Sequence, residues 1–513
     1  MIHRAGPSFV LPLVALIFGG LAFAALLDAS VVATGGRFEY PLDDTYIHLA
    51  MAEQLAMGGY GVNTGEYAAA SSSPLFSFLL VPFAGEPFQR FLPLIWNVVG
   101  LVASLILWGR ILWQTGWGMS PLGYAFAAVA PIALNVPGVA FVGMEHSLHV
   151  AATLAIVSGL IRFVDEGRIG WLLVAGVFLA PVLRLEGVAL AGLAGLFVLA
   201  QGRIKAGLIL GALSVVPLSV FAYWLTTLGL EPLPSSVSAK LVDPNTNDKG
   251  FVAIIAGKIV SVFDEPRAGL LALMLLFSLA LMALPRVKHA NKRGLLIVIF
   301  LAGLAHLMVG RFGWMDRYEV YVIVAATAGL LAATAGSKRL SLMPVVVVVL
   351  SGWLYVGDLV FRYSDAPNAV ANQQVQMGRF AKEHWKRPVA VNDLGYVAWQ
   401  NTNYVLDLWG LANHEARQGR IYGQDRLWAV KLIEKHDAEI AMIYENWFPK
   451  QLGDDWQLLG RLKLQVPIGY LAGTDVSFFL THGGDTGPAI AQLRNWTNDM
   501  PAGAKFVFAG EDK

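Results

Sequence analysis

Apolar runs long enough to cross a bilayer recur along the first 361 residues, separated by short polar stretches, and they leave few folds open to this chain. The hydropathy pattern predicts about eleven spans, at 9–28, 91–112, 121–136, 144–162, 171–184, 187–201, 207–228, 268–285, 294–309, 320–336 and 341–361. Several are short for a hydrocarbon core of about 30 Å, so they must tilt or pack inside a bundle. With 56% hydrophobic and 14% charged residues and a mean hydropathy of +0.57, the chain is too apolar for one soluble globule. The expected fold class is therefore an α-helical polytopic membrane protein. The first run, after His3 and Arg4, has the outline of a signal peptide. Its length and the unsuitable Ala29-Ser30-Val31 favour a retained helix.

Basic residues set the expected orientation. Arg4, Arg110, Arg162, Arg168, Arg203, Lys205, Arg286, Lys288, Lys292, Arg293, Lys338 and Arg339 gather in the short loops of one side. The asymmetry predicts a multi-pass protein of the cytoplasmic (inner) membrane, with its N-terminus inside. Loop 29–90, loop 229–267 and everything after Phe361 then share the outer face. The net charge of +1 and the lack of basic patches with interleaved aromatics argue against nucleic acid as a partner. The absence of cysteine excludes disulfides, thiolate metal sites and cysteine nucleophiles.

Residues 362–513 differ in kind from what precedes them. Alternating patterns predict a helix Asn368–His384, strands Val389–Asn392 and Tyr404–Leu408, a helix Gln424–His436, strands Glu439–Tyr444 and Asp475–Thr481, and a helix Gly487–Thr497. The expected organisation is a membrane domain over 1–361 followed by an extracytoplasmic (periplasmic or extracellular) α/β domain over 362–513.

Chemistry-bearing residues concentrate on the expected outer face. Asp43 and Asp44 follow the first span directly, with Tyr46 and His48 just beyond. A carboxylate beside a like charge near a low-dielectric surface gains proton affinity, which suits a general base for a hydroxyl, although adjacent aspartates are more often a solvated turn. Residues 49–73 read as an interfacial amphipathic helix and a Gly-rich loop, with Glu66 a candidate second acid. Glu145, His146, His149, Arg184 and Glu186 lie at or within apolar segments, where charges are costly and should pair or face a polar cavity. Arg184 can be a structural ion pair with Glu145 or Glu186, or a substrate ligand. His149, deeper in its helix, suits hydrogen-bonded packing. Lys240, Arg311 and Arg317 are candidate cations for an anionic head group, against ordinary snorkelling at the interface. Pro232, Pro234 and Pro244 suit a shaped flap in loop 229–267. Asp43, Asp44 and a distant Glu could in principle hold Mg²⁺ or Mn²⁺, but no metal-ligand spacing is evident, so no cofactor is expected.

Leu42-Asp43-Asp44-Thr45-Tyr46-Ile47, Asn63 with Gly65-Glu66, and Ser73-Pro74-Leu75 resemble the first outer loop of GT-C-fold glycosyltransferases that use polyprenyl-phosphate sugars, most of all the arabinofuranosyltransferase-like branch. Gly143-Met144-Glu145-His146, Arg184-Leu185-Glu186-Gly187, Leu233-Pro234-Ser235-Ser236 with Ala239-Lys240-Leu241, and Arg317-Tyr318 resemble further patches of that family in the same order. In the tail, Asn392-Asp393-Leu394-Gly395 and Asp407-Leu408-Trp409-Gly410-Leu411 resemble its Asp-x-Gly and Asp-x-x-Gly-Leu strands. Leu185 departs from the proline usual in Arg-Pro-Glu-Gly.

The resemblance implies transfer of a sugar, arabinofuranose or hexose, from a polyprenyl-phosphate donor to a glycan, lipid or protein acceptor, with inversion. Asp44 or Asp43 would be the base, with Tyr46, His48, Glu66, Glu145, Arg184, Glu186, Lys240, Arg311 and Arg317 around the substrates. A transporter or flippase for lipid-linked sugars is the alternative, although no internal duplication of the kind such proteins carry is visible. A membrane-embedded scaffold or sensor is a third possibility and needs no acidic pair.

Overall fold

The computed structural model describes residues 9–118, 120–237, 257, 260, 262, 264–284, 290–337, 339–423, 425–482 and 485–511. Among these, seven helices are long and apolar enough to cross a membrane: Val10–Ala33, Pro87–Gln114, His146–Glu166, Ile204–Thr227, Pro266–Ala283, Lys292–Val309 and Leu342–Phe361. Pro121–Ala133, Trp171–Leu183, Gly187–Ala200 and Val320–Thr334 are shorter apolar helices. Every predicted span thus coincides with an apolar helix. A further short helix, Val136–Phe141, follows a break at Asn135, whose φ of 59° ends the preceding helix.

The chain divides into two compact units. The first comprises 1–28, 93–220 and 249–361; the second comprises 29–92, 221–248 and 362–513. A single boundary after Phe361 is therefore not how compactness divides the molecule, because the first long loop belongs with the tail.

In the first unit, His146–Glu166 and Trp171–Leu183 pack through small residues. A Cβ on Gly159 would lie 2.6 Å from the Cβ of Leu173, and one on Gly176 would lie 2.7 Å from the Ala152 carbonyl oxygen. Close backbone approach of this kind provides dispersion contact where lipid offers no hydrophobic drive.

The second unit holds a six-stranded sheet in the order β2-β1-β3-β5-β4-β6. Its strands are β1 Val389–Val391, β2 Val405–Asp407, β3 Ile440–Ile443, β4 Gln457–Leu464, β5 Asp475–Leu480 and β6 Ala504–Phe508. β2, β1 and β3 run parallel and are wholly buried, whereas β5, β4 and β6 complete the sheet antiparallel. Short buried strands, apolar but for Asp407 at the end of β2, are what a parallel sheet covered on both faces requires. One face carries Leu406, Trp428, Leu432, Ile433 and Phe448; an aromatic cluster of Phe380, Phe478, Trp496 and Phe506 packs elsewhere in the unit.

The long predicted helix of the tail is broken at Gln373 (φ −125°, ψ −75°) into Asp365–Asn372 and Gln374–Arg379, followed by a π-helical turn, Phe380–Trp385. Strands β4 and β6 and the helices Gly395–Ala398 and His414–Tyr422 are additions to the predicted set. Loop 29–92 is stitched to the sheet by one side chain: Asn63 Nδ2 donates to the Val405 carbonyl (3.0 Å) and its Oδ1 accepts from Val405 N–H (2.9 Å). Asn63 so occupies the open edge of β2 as a neighbouring strand would.

Candidate functional site

Asp43 and Asp44 sit at the start of the helix Asp44–Ala56, and the fold gives them different tasks. Asp43 does not cap its own helix; it caps another. Its Oδ2 accepts from Gly395 N–H (2.6 Å) and its Oδ1 from Tyr396 N–H (2.8 Å), the opening residues of Gly395–Ala398. Glycine is required there, because a Cβ on residue 395 would lie 2.1 Å from the Asp43 carbonyl oxygen. Asp44, one residue on, is in the first turn and half-buried.

A third carboxylate joins them from the tail. Asp393 follows β1 and accepts from Gln374 Nε2 (3.0 Å). Burial raises the proton affinity of Asp43, the charge of Asp393 adds to it, and the two backbone N–H groups pull the other way. Asp393 is also raised, first by burial, with the Gln374 and Tyr444 hydrogen bonds opposing and the Asp44 charge adding. Asp393 lay in a recognised motif but carried no role in the sequence reading; its position at the end of a parallel strand is what marks it.

Tyr46 is buried, and its hydroxyl donates to Glu39, which also pairs with Arg90 Nη2 at 3.1 Å. Its ring packs edge-on against Tyr396 (4.7 Å). Lys382 Nζ lies 4.3 Å from the Tyr396 ring and donates to the Tyr396 and Trp399 carbonyls, while burial pushes its ammonium down to about 8. His48 Nδ1 is shared by Ser71 and Ser77 hydroxyls, each at 3.1 Å. Glu66 accepts from Tyr404 Oη (2.8 Å) and Asn63 Nδ2 (3.2 Å), beside the Asn63 stitch. These three residues hold loop 29–92 to the tail or to itself.

In the first unit, Arg184 is clamped by two acids: Nη1 reaches Glu145 Oε1 and Nη2 reaches Glu186 Oε1, both at 2.7 Å. Arg184 and Glu145 are buried, whereas Glu186 is partly open. The Tyr318 ring connects this clamp to Arg317, lying 5.5 Å from the Arg184 guanidinium and 4.9 Å from that of Arg317, whose Nη2 donates to Tyr318 Oη at 3.0 Å. His146 packs 5.9 Å from the Tyr318 ring and His149 4.4 Å from that of Tyr321. His306 bonds the Tyr321 hydroxyl and the Arg311 carbonyl (both 3.1 Å), and the Arg311 side chain is exposed.

Arg317 owes its place to an uncommon backbone. Gly313, Trp314, Met315 and Asp316 have successive φ values of 74°, 48°, 62° and 46°, a left-handed turn that non-glycine residues adopt only at a cost. Glu319 Oε2 accepts from Gly313 N–H (3.0 Å), Asn135 Nδ2 donates to the Asp316 carbonyl (3.2 Å), and Arg267 pairs with the Asp316 carboxylate.

Lys240, Pro244 and the Ala239-Lys240-Leu241 patch lie outside the described residues. Among the described residues, no three His, Asp or Glu side chains are grouped so as to hold a metal ion. A groove of about 700 Å³ in the first unit, lined by Leu13, Ile106, Trp113, Arg110 and Arg162, contains none of the candidate residues.

No characterised protein matches the chain. Residues 367–479, from the first tail helix into β5, match DUF8728, a domain of unknown function.

Proposed function

We propose that the protein is an inverting membrane glycosyltransferase that moves a sugar from a polyprenyl-phosphate donor to a hydroxyl on a glycan, lipid or protein acceptor. In this reading the four shorter apolar helices also cross, giving eleven spans, with the N-terminus cytoplasmic and the tail on the outer face of the cytoplasmic membrane. The division of labour between the two aspartates is the observation that supports it most. Asp43 commits both carboxylate oxygens to backbone N–H groups, which fixes the start of the helix and hence the position of Asp44. Asp44 is the proposed base, and its charge is one of those that raise the proton affinity of Asp43 and Asp393.

The step balances simply. Asp44 takes the acceptor hydroxyl proton as that oxygen bonds to the anomeric carbon, and the bond from that carbon to the phosphate oxygen breaks with its electron pair leaving on the phosphate. The growing negative charge calls for a cation. Arg317, Lys240, Arg311 and Arg184 are the cations that the sequence resemblance offers for that role.

Purified protein in liposomes with labelled polyprenyl-phosphate sugar tests the reading. Asp44→Asn is expected to lower turnover by about 10²–10⁴-fold, the usual contribution of a general base, with its apparent Tm unchanged. Full turnover in Asp44→Asn removes the assignment; movement of the lipid-linked sugar across the bilayer without transfer favours a flippase instead.

A further inference from the structure

The three parallel strands end on one edge of the sheet, and ligands of open α/β sheets bind beyond such carboxyl ends. After β2 the chain turns tightly. Asp407 Oδ1 accepts from Trp409 N–H (2.8 Å), its Oδ2 accepts from Ala412 N–H (2.7 Å), and Gly410 takes a φ of 86°. Asn413 then caps the helix His414–Tyr422, accepting from Ala416 N–H at 2.8 Å. Arg417 and Arg420, three apart on that helix, share a face.

Both guanidiniums have hydrogen-bonding capacity left over. Arg420 Nε donates to the Trp409 carbonyl (2.9 Å), and its guanidinium stacks 4.0 Å from the Trp409 ring, which tilts against half-buried Trp447 after β3 at 4.4 Å. Arg417 is 3% exposed; its Nη2 meets His414 Nδ1 (2.8 Å) and Glu231 Oε2 (2.9 Å). Arg417 Nη1 and Arg420 Nη2 are buried and have no hydrogen-bond partner. Burial lowers the proton affinity of Arg420, Asp407 opposes this, and the Arg417 charge reinforces it. Asp407 offers little direct help, since both of its oxygens already accept backbone N–H groups. Two neighbouring cations with unused donors beside an indole surface form a receptor lacking its anion.

We propose that the Arg417–Arg420 face, with Trp447 beside it, is a binding site for an acidic sugar residue, its carboxylate or phosphate taken by the two free guanidinium N–H groups and its ring laid on the indole. The site lies in the second unit and does not depend on the role of Asp44, so either assignment can fail without the other.

The test uses the full-length protein in detergent, with tryptophan fluorescence titrations against a galacturonate oligosaccharide, its neutral galactose counterpart, glucose 6-phosphate and inorganic phosphate. Saturable binding of the uronate or the sugar phosphate, at least tenfold tighter than the neutral sugar and weakened by salt, is expected, and the better of the two identifies the anion. Arg420→Gln, chosen because Arg420 is less buried than Arg417, should weaken that binding tenfold or more without changing the apparent Tm. Trp447→Leu should weaken sugar binding and leave inorganic phosphate unaffected. Equal binding of neutral and acidic sugars, inorganic phosphate binding as tightly as either acidic sugar, or an Arg420→Gln protein that binds like the parent would each overturn the proposal.

Discussion

Removing the guanidinium at Arg184 separates two roles that the residue could play. Its two bonds are equal in length, 2.7 Å to Glu145 and to Glu186, but unequal in setting: the Glu145 side chain is 0% exposed and that of Glu186 is 29% exposed. Taking one partner from a buried ion pair costs about 3–5 kcal/mol, because the remaining charge keeps its desolvation penalty without its compensation. The bond to the more open Glu186 is worth about 1 kcal/mol or less, since water and salt screen it. Arg184→Gln and Glu145→Gln should therefore each destabilise the protein by about 3–5 kcal/mol, with Glu186→Gln far milder. The double variant Glu145→Gln/Arg184→Gln should recover a large part of the loss, because two neutral amides can hydrogen-bond. Unfolding from detergent is commonly irreversible, so the assay compares apparent Tm at one scan rate and sugar transfer well below it. An Arg184→Gln protein with the parental Tm but no turnover would refute this reasoning and make Arg184 a substrate ligand.

Three further outcomes follow from the second unit. Gly395→Ala forces a Cβ to within 2.1 Å of the Asp43 carbonyl and should cost about 1–3 kcal/mol, read as a lowered apparent Tm. Asp407, which burial pushes up to about 6 against its backbone N–H bonds, binds its proton more tightly folded than unfolded. Its contribution is thus fully present below about pH 4 and is lost as pH rises through 6, roughly 3 kcal/mol in all; a Tm–pH slope over that window that persists in Asp407→Asn would contradict this. Gly410→Ala meets both a φ of 86° and the Arg417 backbone 2.5 Å from the new Cβ, so it should lower the apparent Tm more than Gly36→Ala, where φ is 89° but nothing lies within 4 Å.

The apolar helices were legible because a run of hydrophobic residues declares itself without knowledge of its neighbours. Leu342–Phe361 falls within one residue of both predicted limits, and Val10–Ala33 starts within one residue of its predicted start but runs five residues past its predicted end. In the tail, Gly487–Thr497 was read to the residue, whereas β4 was not seen. A register shift between Leu458 and Gly460 breaks the alternation that would have revealed it. The site was legible as a set of residues and obscure as a set of roles. That Asp43 is a cap follows from contact with residues 395 and 396, far along the chain, and no local pattern carries that information. Likewise Glu66 reads as a spare acid until Tyr404 and Asn63 are seen to bind it.

Asp43 meets Gly395 across 352 positions of sequence, which has a consequence for biosynthesis. At about 5–20 residues per second, a ribosome leaves the newly made loop waiting for its tail on the order of half a minute. Throughout that interval Asp43 has no helix to cap and Asn63 no strand to border. Shortened chains that stop before β1 should consequently be recognised by quality-control proteases through this orphaned segment, even when every apolar helix has formed.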